Sequence, residues 1–199
     1  MKFKQYLTEA EDNTDEAIRI INLIKKDCKP YLKQLNIVNF LRGKLLLSGR
    51  DINKNFSAAK VRQNRKPKDT PPEIHDFLDN WFNKKFGIRA RSQTLFCTTS
   101  RGIAYSYGNN AYWIFPIGKF EVIWSPNVTD LYNKADFDRP FEDYKKLFLE
   151  FQADTYYKGK LQMALNSISE IMLHCKEYYM LNSEKAENSM VINGLRDSL

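Results

Sequence analysis

Ala17, Ile20, Ile21, Ile24 and Cys28 recur at three- and four-residue intervals, which puts them on one side of a helix over residues 15–29. Thr14 or Asp15 suits its start, and Pro30 follows its end. The run NFLRGKLLL, residues 39–47, is mostly apolar and predicts a strand with Arg42 in its middle. Helical spacing returns in Ile74, Phe77, Leu78, Trp81 and Phe82. Asp69 and Thr70 lead into the Pro71–Pro72 pair, a favourable helix entry, and Gly87 ends the helix. The texture then turns to β. QTLFCTT, AYWIFPIG and FEVIWS predict three strands, the last two parted at Gly118. Residues 141–151 predict an aromatic-rich helix, and KLQMALNSI a short one. SEIMLHC and EYYMLN predict a closing hairpin-like pair of strands. Beyond Ser183 the chain is polar, with SMVINGL as one further short element. Strands adjacent in sequence, with helices inserted and no regular βαβ alternation, predict an α+β fold.

With 199 residues, 43% of them hydrophobic, the chain suits one domain with a real core. No apolar run approaches the ~20 residues of a membrane span. MKFKQYLTEAEDNTDE has no h-region, so a secretory leader is not expected. Cys28, Cys97 and Cys175 are widely spaced and include no C-x-x-C pair, which predicts neither a disulfide framework nor a zinc site, and a reducing cytosol as the working compartment. The formal charge of +7 is uneven. Arg50, Lys54, Lys60, Arg62, Arg65, Lys66 and Lys68 face only Asp51 between positions 50 and 68. Such a stretch is either a solvated basic loop or the contact for an anionic partner, whether nucleic acid through Arg62, Arg65 and Lys66 or the phosphates of a cofactor.

Several chemistries lack their motifs. There is no G-x-G-x-x-G, no P-loop and no G-x-S-x-G, and His75 and His174 are too few for a histidine-rich metal site. Three separated pieces remain. Arg42, followed by Gly43, either meets an anion that offsets its desolvation or keeps its head in water at a strand end. Thr98, Thr99 and Ser100 either orient a catalytic group or form a strand-to-helix turn with Ser100 as N-cap. Glu170, at the start of the apolar Ile171–Met172–Leu173, faces either a cleft or solvent.

In this order, over roughly residues 37–182, the pieces resemble the arginine–serine–glutamate subgroup of the ADP-ribosyltransferase fold. The resemblance implies a split β-sheet core with flanking helices and NAD as cofactor. It implies that Arg42 and Gly43 hold the cofactor's phosphate or ribose, and that Thr98, Thr99 and Ser100, with Tyr107 after them, brace the nicotinamide pocket. Glu170 would then stabilise the oxocarbenium-like cation as nicotinamide leaves, with Ser100 and Arg42 completing the catalytic set. Arginine-modifying members carry an acid or amide two residues before that glutamate, where this chain has Ile168. The histidine–tyrosine–glutamate subgroup would need a histidine where Arg42 stands. DTPPEIHDFLDNWF and FPIGKFEVIWSP are also similar to segments of tailed-phage proteins. MKFKQYLTEA resembles the capsid-targeting peptide of T-even-type internal head proteins, trimmed after Leu/Ile-x-Glu, here between Glu9 and Ala10. The alternative is an ordinary amphipathic start. The implied organisation is a targeting segment over 1–14, one domain over 15–182 and a polar tail over 183–199. Two functions follow. One is a mono-ADP-ribosyltransferase that modifies a host protein or nucleic acid. The other is a catalytically weak protein of the same fold, acting against host defence or on nucleic acid. A structural virion component is the plainer third. The place of action would be the host cytoplasm, reached from the virion head if the chain is packaged.

Overall fold

The computed structural model describes residues 3–66, 70–129, 131, 139–186 and 190–196, and the backbone alone for residues 3–13 and 186. The side chains of Glu9 and Ala10, and all of Lys68 and Asp69, lie outside the described set. The architecture is mixed α and β, a six-stranded antiparallel sheet with several helices, consistent with α+β. No helix among the described residues is long and apolar enough to cross a membrane.

Two long strands form the middle of the sheet. β4 (Asn110–Trp124) and β6 (Ile171–Asn182) pair from Tyr112↔Asn182 to Trp124↔Ile171. Each was expected as two strands. In β4 the apparent break is a bulge, because the register shifts between Ile117 and Phe120 and Gly118 sits at φ 69°, where only glycine is unstrained. β6 runs through Lys176 without interruption, since a polar residue in mid-strand need not be a turn. β1 (Leu47–Arg50) and β5 (Tyr157–Lys158) flank β4, while β2 (Phe56–Lys60) and β3 (Leu95–Cys97) flank β6. A bridge between Leu47 and Thr98, with both backbone N–H groups donating across it at 2.8 and 2.9 Å, ties β1 to the end of β3. The sheet therefore curls until its β4 side meets its β6 side.

Alternation along these strands divides the interior. Val122, Trp124, Ile171 and Leu173 join a large core with Ile20 and Ile24 of α1 (Phe3–Asp27), with Cys28 just after it and with Tyr31 of α2 (Lys29–Leu32). Ile123 and Met172 point into a second core with Ile74, Leu78 and Phe82 of α4 (Pro72–Phe86) and Tyr144 and Phe148 of α6 (Phe141–Phe151). Gly87, at φ 72°, donates its N–H to Asn83 O and closes α4 as a left-handed cap. Phe82 is the fully buried aromatic of this helix, and Trp81 is half-buried against Phe148, Tyr156 and Phe86.

Three further expectations are corrected. The first helix starts at Phe3, so Thr14 and Asp15 lie inside it rather than at its start. NFLRGKLLL is not one strand. The Asn36 side chain accepts the Val38 N–H at 2.7 Å and caps α3 (Ile37–Leu41), Arg42 ends that helix, Gly43 turns the chain at φ 67°, and β1 begins only at Leu47. The basic stretch is not a loop throughout, because β2 pairs with β6 from Phe56↔Leu181 to Lys60↔Glu177. The polar tail contributes α8 (Ser183–Ala186) and α9 (Met190–Arg196), and Val191 and Leu195 of α9 join the large core.

Candidate anion-binding site

The site is organised by a buried carboxylate. Asp79 on α4 accepts the backbone N–H groups of Arg91 (2.9 Å) and Ser92 (3.1 Å) and the Ser92 hydroxyl (2.6 Å). These bonds fix the turn that leads into β3 and direct the Arg91 side chain inward, where it is 4% exposed. Pairing of Cys97 with Ile171 brings the start of β6 alongside. Glu170, 14% exposed, meets Arg91 there, with Nη1 3.1 Å from Oε1. The Glu170 backbone N–H donates to Thr129 O at 2.8 Å.

A second guanidinium, that of Arg65, shares the Phe96 ring with Arg91. Arg65 donates its backbone N–H to Ser92 O at 3.0 Å, and its Cζ lies 3.9 Å from the centroid of Phe96, against 4.6 Å for Arg91. Burial, followed by the nearby charge of Arg91, lowers the Arg65 pKa to about 10. Arg50 and Arg62 add to that effect and Glu170 opposes it. Arg50, the arginine that β1 carries, donates from Nη2 to the Tyr178 hydroxyl at 3.1 Å. Arg91 Nε, Arg50 Nε, His75 Nδ1 and the Tyr144 hydroxyl are buried with no hydrogen-bond partner among the described residues. Burial pushes the Tyr144 phenol up to about 12, with Arg91 opposing. Burial also lowers the His75 pKa, against the pull of Asp79 and with that of Arg91.

The hydroxyl triplet is a junction. Thr98 pairs with Leu47, and its Oγ1 accepts the Ser100 N–H at 3.1 Å. Ser100 Oγ accepts the Ile103 N–H at 3.4 Å and caps α5 (Arg101–Tyr105), the turn role weighed from sequence. Thr99 Oγ1 donates to Ser167 O at 2.6 Å and anchors the segment that leads into Glu170. A Cβ on Gly49 would collide with the Ala104 carbonyl, so α5 rests on β1 at a point where only glycine fits.

Of the hydroxyl triplet, Thr99 reaches Ser167 in the segment before Glu170. Arg42 is exposed at the end of α3, beside Asn39 and Lys44, which reach Gln162 and Asn166 around α7 (Leu161–Leu165). Arg91 is the arginine that pairs with Glu170. Gly43 serves the turn after α3, and Tyr107 is exposed after α5. Arg62 and Lys66 are exposed, whereas Arg65 is half-buried. Ile168, 65% exposed, borders an open depression of about 590 Å³ with Trp124, Pro126, Met163 and Ser167. Among the described residues, no group of three or more His, Cys, Asp or Glu could hold a metal ion. Arg50, Asp79, Arg91 and Phe96 were not singled out from sequence as site residues. The one local signal was Arg89–Ala90–Arg91 ahead of an aromatic strand. A scan of known protein families finds none that matches, and searches of curated proteins and of solved structures find no match either.

Proposed function

We propose that the protein binds nucleic acid through a basic surface that begins at Arg62 and Lys66 and runs inward to Arg65 and Arg91. An imbalance of charge carries the reading: Arg50, Arg62, Arg65 and Arg91 share one electrostatic neighbourhood with the carboxylate of Glu170, while the nearby Asp79 is already held by the backbone of Arg91 and by Ser92. Guanidinium forks suit phosphate, and a chain of formal charge +7 draws polyanions toward such a patch. Lysines along an edge strand also deter pairing with another sheet, which accounts for Lys54 and Lys60 around β2. That explanation does not extend to Arg65 and Arg91, which turn inward onto Phe96. The test is fluorescence anisotropy of a labelled duplex across a salt series. Each phosphate contact contributes about 0.9 to the log–log slope, so exchanging both Arg62 and Lys66 for Gln should lower it by about 1.8. Affinity that ignores salt would refute the reading.

A second reading, ADP-ribosyl transfer from NAD to a host macromolecule, is favoured by the bond from Thr99 to Ser167, which braces the approach to Glu170. The residues fit NAD only in part. The arginines suit its diphosphate, but Arg42 lies at the end of α3 and Glu170 is engaged by Arg91, so no transfer step is derived. Incubation with labelled NAD and host lysate tests this reading, and it fails if neither label transfer nor nicotinamide release is detected.

A further inference from the structure

We propose that Arg65 and Arg91, converging on Phe96, form a site for one phosphate group, and that the Glu170 carboxylate is its resident counter-ion, displaced when phosphate arrives. The inference deepens the nucleic-acid reading and rests on it for the source of the phosphate. Three observations support it. First, two guanidiniums approach one ring within 3.9 and 4.6 Å of its centroid, a crowding of like charge that an anion within reach of both would relieve. The lowered pKa of Arg65 reflects that crowding as well as burial. Second, Arg91 Nε and the Tyr144 hydroxyl are buried donors without partners, and Arg91 lies close enough to Tyr144 to act on its phenol. A buried donor left unsatisfied is costly, and a structural ion pair with one carboxylate has no need of extra donors. Phosphate offers more acceptor oxygens and more charge than a carboxylate. Third, there is a route in. Arg65 is half-buried on a segment whose neighbours Arg62, Asn64 and Lys66 are exposed, and Glu170 stands at the open start of β6 with part of its side chain in solvent.

The experiment is calorimetric titration of the full chain with inorganic phosphate, repeated with NAD and with a short duplex DNA oligonucleotide. Glu170→Gln removes the competing charge and should tighten phosphate binding about tenfold, whereas Arg65→Gln should weaken it by a similar factor. Phosphate binding by Glu170→Gln no tighter than wild type overturns the proposal, as does unchanged binding by Arg65→Gln or no binding by the wild type. If Glu170→Gln does not fold by circular dichroism, the Arg65→Gln comparison decides alone. The oligonucleotide arm separates this site from the wider reading. Exchanging Arg62 and Lys66 for Gln should weaken DNA binding by a larger factor than inorganic phosphate binding. A phosphate site that takes NAD but not the oligonucleotide keeps this proposal and removes the nucleic-acid reading.

Discussion

Replacing Asp79 with Ala should destabilise the protein far more than replacing it with Asn. The buried Asp79 carboxylate serves three donors, the N–H groups of Arg91 and Ser92 and the Ser92 hydroxyl. Alanine leaves all three without their acceptor. An orphaned buried donor costs about 1–3 kcal/mol, and three neighbours do not add fully, so the loss should be about 3–5 kcal/mol. Asparagine keeps an oxygen for the two backbone donors and gives up the charge, and should cost about 1–2 kcal/mol. The larger loss is a substantial share of the roughly 5–15 kcal/mol that holds a domain together. Urea unfolding followed by tryptophan fluorescence gives both values, provided the m-values agree. The turn also directs Arg91 toward Glu170, so Asp79→Ala should lose phosphate binding at concentrations where the protein is still folded. If Ala and Asn cost the same, or Ala costs under about 1 kcal/mol, Asp79 does not organise the site as argued.

His75 gives a pH dependence whose sign follows from its burial. Burial depresses its folded pKa, so the unfolded chain binds the proton more readily, and stability is lost as pH falls below about 6.5; His75→Gln should flatten that slope in urea titrations, and an unchanged slope would contradict the assignment. Burial raises the Cys28 and Cys175 thiols to about 12 and Cys97 also upward, so all three should resist a thiol reagent at pH 8 and react on unfolding; rapid labelling of any one in the native protein would show that its cover opens readily. Phe82, fully buried and edge-on to Tyr156 and Trp81 at 5.0 Å, should cost about 3–5 kcal/mol as Ala, and a loss under about 1.5 kcal/mol would mean that α4 docks loosely.

Elements bounded by local chemistry could be read from the sequence. α4 has Pro71 before it, Pro72 as its first residue and Gly87 after it, with a full apolar stripe between, so its position follows from residues within one segment. The two central strands were divided because Gly118 and Lys176 look like interruptions along the chain. Their continuity comes from partners on both sides, which a linear pattern does not carry. The apolar run over residues 39–47 is too short to show a period, and its helical part is decided by Asn36 and Gly43 at its borders. The site was harder. Glu170 was legible as an acid opening a strand, but its partner is 79 positions away and arrives only through the pairing of β3 with β6. The charge of the basic stretch was also legible. That Arg65 turns inward onto Phe96 while Arg62 and Lys66 stay exposed depends on the bond from Arg65 to Ser92.

The two functional readings ask opposite things of one carboxylate. In the transferase reading, Glu170 faces a cation that develops on the substrate, so its charge is most valuable at the transition state. In the anion-binding reading, the same charge faces a permanent cation of the protein, Arg91, and competes with the ligand. Glu170→Gln therefore separates them by sign. A transferase would keep most of its NAD affinity and lose nicotinamide release by about a hundredfold or more. A phosphate binder would gain affinity for phosphate and for an oligonucleotide, with no turnover to lose. The buried position of Arg91 favours the second outcome. A guanidinium that is 4% exposed needs an anion at close range to offset its desolvation, and Glu170 supplies it at 3.1 Å. A carboxylate held in that way has part of its charge already offset by Arg91 before any substrate cation develops.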